Sequence, residues 1–165
     1  MNVSGEFRIR ARGEREIEIV RGFAAPRARL FEAWTQPHYL RRWLLGPDGW
    51  SMPVCDIDLR VGGAYRYVWR NDGDGRTMGM GGIFREIAGP ARIVATERFD
   101  EPWYPGEALN TTTFEESGGT TVVTIITSFT TRDARDGAMA SGMEKGVRRS
   151  YDRLEDIITS GATVG

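Results

Sequence analysis

At 165 residues, with 22 basic and 23 acidic side chains and a net charge of −1, the chain suits one domain built around one substantial core. That balance leaves no electrostatic footprint for nucleic acid or for an anionic membrane surface. No apolar run approaches the roughly 20 residues that a bilayer crossing needs.

The sole cysteine, Cys55, excludes an internal disulfide and any multi-cysteine metal site. The start, "MNVSGEFRIRARGEREIEIV", has neither the apolar core nor the cleavage site of a secretory leader. A cytoplasmic monomer or simple homo-oligomer, a homodimer included, is the default expectation. Without export, the glycosylation-type matches at Asn2 and Asn110 are set aside as chance.

Residues 1–13 are polar and glycine-punctuated, and read as a flexible lead-in to a single domain over 14–161. "EREIEIVRGF" then alternates Ile17 and Ile19 with Glu16 and Glu18, the period of a half-buried strand. In "AAPRARLFEAWT" the period switches: Pro26 suits a first helical turn, and Leu30, Phe31 and Trp34 share a face. A second short helix starts at Pro37 and stops before Gly46-Pro47.

From residue 51 the two-residue period returns. "SMPVCDIDL" leads through Gly62-Gly63 to "AYRYVWR", which puts Tyr65, Tyr67 and Trp69 on one face and Arg66, Val68 and Arg70 on the other. "NDGDG" is a turn, followed by "TMGMGGIFREI", the turn "AGP", and "ARIVATERF". The loop "DEPWYPGE" has aromatic content to cover something, and "ALNTTTFEE" pairs with "TTVVTIITSF" around "SGG". The last segment, from an N-cap at Thr131, carries Met139, Met143, Val147, Tyr151, Leu154 and Ile158 as one helical stripe. Gly142 and Gly146 beside that stripe imply either close packing or room for something between helix and sheet.

Helices do not alternate with strands, which rules out a doubly wound plan. The order predicts an α+β fold in which a long antiparallel sheet curls around a long C-terminal helix. "FEAWTQPHYLRRWLLGPDGW", "DIDLRVGGAYRYVWR", "GIFREIAGPARIVATERF" and "GMEKGVRRSYDRLEDII" together resemble the START-like superfamily, also called SRPBCC or Bet v 1-like. Within it they resemble the heat-shock-ATPase-activator homologue C-terminal-domain-like branch, of the bacterial stand-alone kind. The resemblance implies a helix-grip fold: about seven strands wrapped on the C-terminal helix, with two short helices after the first strand. It also implies an apolar cavity that holds a small hydrophobic molecule. The activator's separate N-terminal domain has no counterpart here, so its chaperone role does not transfer.

Few residues can carry catalysis. His38 follows Pro37 in a short, exposed helix and lacks a convergent partner set, so a surface role outweighs a catalytic one. No spacing suits zinc, and "GMGGIF" is not a dinucleotide turn, so neither metal nor cofactor is expected. Asp56 and Asp58 read as an outer strand face. Glu97-Arg98 differs: within "RIVATERF" one of the two must point inward, where it either orients a ligand or forms a structural ion pair.

The remaining large side chains supply the cavity wall: Trp43, Tyr65, Tyr67, Trp69, Met78, Met80, Phe99, Trp103, Tyr104, Met139 and Met143, with Thr111 if its parity is inward. Trp103 and Tyr104 are candidate lid residues. Binding of a small hydrophobic or aromatic ligand without catalysis is the first functional expectation. A polyketide-cyclase or dehydratase-like enzyme using Glu97, Arg98, Tyr65 or Tyr67 is the second. A protein-interaction module of co-chaperone type is the third.

Overall fold

The computed structural model describes residues 5–159. Alternation in the sequence becomes a single antiparallel sheet of eight strands: β1 (Phe7–Arg12), β2 (Glu16–Phe23), β3 (Trp50–Ile57), β4 (Ala64–Asn71), β5 (Thr77–Ala88), β6 (Arg92–Phe99), β7 (Ala108–Ser117) and β8 (Thr120–Ser128). Their spatial order is β1-β2-β8-β7-β6-β5-β4-β3. Strands β3 to β8 form the expected six-strand meander, closed at the far side by the β1–β2 hairpin. The four helices are α1 (Arg27–Thr35), α2 (Pro37–Trp43), α3 (Arg132–Ala140) and α4 (Met143–Thr159). This is the α+β helix-grip architecture.

Two features correct the sequence reading. The first is β1, which lies inside the segment that reads as a flexible lead-in and raises the strand count to eight. Phe7 and Ile9 turn toward the core, while Arg8, Arg10 and Arg12 face out, where they pair with Glu18 and Glu16 of β2. Buried Arg135 secures the hairpin by donating to the carbonyls of Arg12, Gly13 and Glu16. The second is a break in the long C-terminal helix: Gly142 adopts φ +80°, a conformation that ends α3 and lets α4 begin in a new direction. Thr131 caps α3 as expected, its hydroxyl accepting from the Ala134 amide at 3.0 Å.

The solid part of the core lies where α1, α2 and the second half of α4 meet β2 and β7. Phe23, Leu30, Leu40, Trp43, Phe114 and Leu154 are fully buried there. Trp34 packs edge-on against Trp43, Phe114 and Tyr151. Gly146 resolves toward close packing, since a Cβ there would stand 3.1 Å from the Pro47 ring.

Helix α4 is fixed at this end by polar contacts as well. The Ser150 hydroxyl accepts from the Gly46 amide, and Arg153 donates to the Gly46 carbonyl at 2.7 Å. Arg21, only 3% exposed on the inner face of β2, pairs with Asp152 at 3.0 Å and Glu155 at 3.4 Å. The helix also approaches α2 and α3 closely. These polar anchors run from Ser150, at the middle of the helix, through its second half, while Met143 and Val147 of its first turns stay half-buried.

Candidate functional site between sheet and helices

Strand parity decides which side chains face the interior. On β6 these are Ile93, Ala95, Glu97 and Phe99, and on β7 Ala108, Asn110, Thr112 and Phe114. Of the pair Glu97-Arg98, Glu97 therefore points in, and Arg98 is exposed on the outer face.

Glu97 heads a cross-strand chain. Its Oε1 accepts from Asn110 Nδ2 at 2.9 Å, and Asn110 Oδ1 accepts from the Thr127 hydroxyl at 2.6 Å. Burial pushes the Glu97 carboxyl above the usual carboxylate range, against the smaller opposing effect of the Asn110 hydrogen bond. Yet Glu97 is only half-buried. A side chain that keeps accessible surface while its charge is desolvated lines a concave interior, not an open face.

The aromatic wall surrounds this carboxyl. The rings of Tyr65 and Tyr67 stand 5.1 Å apart, and Tyr65 lies 5.5 Å from Phe84. Tyr65 passes over Gly82, its cross-strand partner, and donates to the Thr96 carbonyl at 2.6 Å. This bond compensates for an irregular ladder: regular β5–β6 pairing is interrupted between Gly81–Arg98 and Phe84–Ala95. There the Ile83 amide donates to the Thr96 hydroxyl instead. Side chains thus satisfy backbone groups that the ladder leaves over.

Tyr104 closes the cluster. It is 7% exposed, packed against Phe129 at 5.4 Å, and its hydroxyl has no partner among the described residues. A buried hydroxyl left unpaired costs about 1–3 kcal/mol. Burial, and then the charge of Glu97, push the Tyr104 phenol up to about 12. Tyr65 and Tyr67 are likewise raised by burial, with Glu97 contributing to both.

Several residues expected in the wall lie elsewhere. Trp43 is 0% exposed, so it presents nothing to a ligand; its indole donates to the Ala33 carbonyl at 3.0 Å. Trp69 keeps the inner parity and packs on Tyr67 at 5.7 Å, but its indole N–H is taken by the Leu44 carbonyl at 2.7 Å. Met78 shares the inner parity of Met80 but stands 46% exposed near the start of β5. Thr111 pairs with Val94 and Ile126 on the outer face, because Asn110 and Thr112 hold the inner parity. Trp103, 50% exposed, lies over Gly137 of α3, and only its neighbour Tyr104 turns inward.

Tyr65, Tyr67, Met80 and Phe99 share the inner parity of Glu97 on β4–β6, and half-buried Met139 and Met143 lie on α3 and α4 and pack against the core. Asn110 and Thr127 are absent from the sequence reading, although Asn110 shares its parity with Phe114 in "LNTTTF". His38 is exposed and stacks on Tyr39 at 4.4 Å. Burial pushes the Cys55 thiol up to about 11, which leaves it inert near neutral pH. Among the described residues no His, Cys, Asp and Glu cluster suits a metal, and no helix is long and apolar enough to cross a membrane.

The outer face carries a different feature. An open groove of about 510 Å3 runs along β4–β6, and its lining includes Arg66, Gly81, Arg98 and Asp100. Arg66 binds Asp100 through two hydrogen bonds, at 2.9 and 2.7 Å. Tyr65, Gly82 and Phe99 also contribute to the lining, because Gly81 and Gly82 raise no side chains between the two faces.

Glu97 yields a stability prediction. Burial raises its pKa in the folded state, so folding favours the protonated carboxyl. That contribution is complete below the unfolded pKa of about 4.3 and is lost as pH rises through the folded value. Glu97→Gln removes the titration and keeps an oxygen for Asn110. The variant should therefore be more stable than wild type near pH 7.5, and the advantage should disappear by about pH 4. Urea unfolding of both proteins at the two pH values checks this, and a difference independent of pH would contradict it.

The sheet, the helix-grip cover and the inward polar cluster together define a START-like (SRPBCC) domain. More narrowly, residues 24–159 match the family of Activator of Hsp90 ATPase homolog 1-like proteins, and the chain belongs to that family. A solved protein from Rhodobacter sphaeroides is 30% identical, covering 94% of this chain and 99% of its own, with a TM-score of 0.87. One from Chromobacterium violaceum is 27% identical over 86% of this chain and 96% of its own, with a TM-score of 0.70. CalU16 from Micromonospora echinospora shares the fold at 18% identity, over 93% of this chain and 84% of its own, with a TM-score of 0.61. No curated protein matches the chain.

Proposed function

We propose that the chain binds a small hydrophobic or aromatic molecule between the concave face of the sheet and the α3–α4 pair. One observation carries this reading. Tyr67, Glu97, Phe99, Asn110, Ile125 and Thr127 all face inward at the middle of the sheet, yet keep accessible surface. Met139, Met143 and Val147 on the covering helices are half-buried too, between the buried Ala134 and Ala138 of α3 and the buried Ser150, Tyr151 and Leu154 of α4. The buried polar anchors of α4 begin at Ser150, and the half-buried Met143 and Val147 lie before them, where we place the ligand. Apolar walls with a few polar groups are what small-molecule sites are made of. Membership of the family supports this reading, since the START-like fold commonly houses hydrophobic ligands.

Ile125→Trp tests it. In the available space the larger ring should fit, leaving the melting temperature within a few degrees of wild type. Binding of the apolar dye 1-anilinonaphthalene-8-sulfonate should weaken at least tenfold. In a filled core the same ring would overpack its neighbours and cost about 1–3 kcal/mol. A large loss of stability with dye binding unchanged would refute the proposal.

A further inference from the structure

The same site indicates the chemistry of its occupant, an inference that rests on the binding reading above. We propose that the ligand is a rigid apolar alcohol or phenol whose hydroxyl bridges Glu97 and Tyr104, donating to the carboxylate and accepting from the tyrosine. An unpartnered donor and an acceptor with capacity to spare point this way. Tyr104 is more than nine-tenths buried with an unpartnered hydroxyl, so it has a donor to offer. Glu97 uses Oε1 for Asn110, and no partner takes its second oxygen among the described residues. Tyr104 lies in the β6–β7 loop that leads into Ala108, the cross-strand partner of Glu97, and its hydroxyl makes no bond to that carboxyl. A group placed between them must both donate and accept, and a hydroxyl does both with one atom.

The surroundings exclude the other common polar heads. A carboxylate or phosphate would meet Glu97 with little inward positive charge to offset it: Arg98 is exposed on the outer face, Arg21 on β2 is ion-paired to Asp152 and Glu155 and has only its Nε unpartnered, and Arg135 is held by three backbone carbonyls and Asp136. A wholly apolar ligand would leave the Tyr104 hydroxyl unpaired and the Glu97 carboxylate dry. The rings of Tyr65 and Tyr67 and the side chain of Phe99 beside Glu97 favour a flat or aromatic body.

Three isosteric probes separate these possibilities: 2-naphthol, 2-methylnaphthalene and 2-naphthoate, measured by calorimetry on the full chain. Wild type should bind 2-naphthol at least tenfold more tightly than 2-methylnaphthalene, and 2-naphthoate most weakly. Tyr104→Phe and Glu97→Gln keep their side-chain shapes and should keep the fold. Each should reduce 2-naphthol affinity about tenfold while leaving 2-methylnaphthalene within twofold. Equal binding of 2-naphthol and 2-methylnaphthalene, or tightest binding of 2-naphthoate, would overturn the hydroxyl inference and leave the cavity reading intact. If none of the probes binds and Ile125→Trp unfolds the protein, both readings fail together.

Discussion

Trp43→Ala should lower stability by about 3–5 kcal/mol, the largest single-residue effect in the molecule. Trp43 is the largest of the fully buried side chains. It joins three elements: it lies on α2, contacts Trp34 of α1 at 4.6 Å, and contacts Tyr151 of α4 at 6.1 Å. Its indole also donates to the Ala33 carbonyl, one of the last carbonyls of α1, which lacks an intrahelical partner. Truncation would leave a void and an unmet acceptor at once.

For a domain of this size the melting temperature should fall by roughly 10 °C. Trp43→Phe, which keeps part of the ring but not the N–H, should fall in between. Urea unfolding followed by circular dichroism measures both. Affinity for the 2-naphthol probe at a temperature where the variant is folded should stay within threefold of wild type. Loss of binding at unchanged stability would return Trp43 to the ligand wall.

Particular residues show why some features are legible in a sequence and others are not. Alternation alone places Tyr65, Tyr67 and Trp69 on one face, because β4 has no bulge against β5 and its outward residues Arg66 and Arg70 are charged. The inward turn of Glu97 follows from the same rule. Strand β1 hides because an edge strand with three arginines on its outer face has little apolar content to reveal it. Thr111 goes to the wrong face for lack of contrast: in "LNTTTF" the threonines are identical, and only register with Phe114 shows that Asn110 and Thr112 face in.

Met78 exposes a different limit. Its face is legible, but sequence does not say how far along a strand the covering layer reaches. Trp103 and Tyr104 lie in a loop without periodicity, where neighbours take opposite sides for reasons that emerge only once α3 is in place. The break at Gly142 is open to either reading, since a glycine near a helical stripe is tolerated or terminates it according to a φ value that composition does not encode.

The glycines of β5 make the sharpest remaining test, because two neighbours of the same type should differ strongly. At Gly82 an added Cβ would run into the Thr96 backbone carbonyl, the same oxygen that accepts the Tyr65 hydroxyl. A backbone group cannot step aside without parting β5 from β6, so Gly82→Ala should cost about 3 kcal/mol and lower the melting temperature by roughly 6–12 °C. At Gly79 the obstacle is the Asp100 carboxylate, the free end of an exposed side chain paired with Arg66. That pair can re-form around a methyl group or dissolve into water, so Gly79→Ala should unfold close to wild type.

Tyr65→Phe calibrates the scale between these two. It removes one buried hydrogen bond and should cost about 1 kcal/mol. Should Gly82→Ala prove as mild as Gly79→Ala, Gly82 would not hold the two strands in contact. With the expected ordering, the glycine-rich strand acts as a shaping element. Gly82 lets Tyr65 lie flat across β5 and reach β6, and that placement brings its ring beside the Glu97 carboxyl. Gly82→Ala should accordingly weaken 2-naphthol binding as well as stability, whereas Gly79→Ala should change neither.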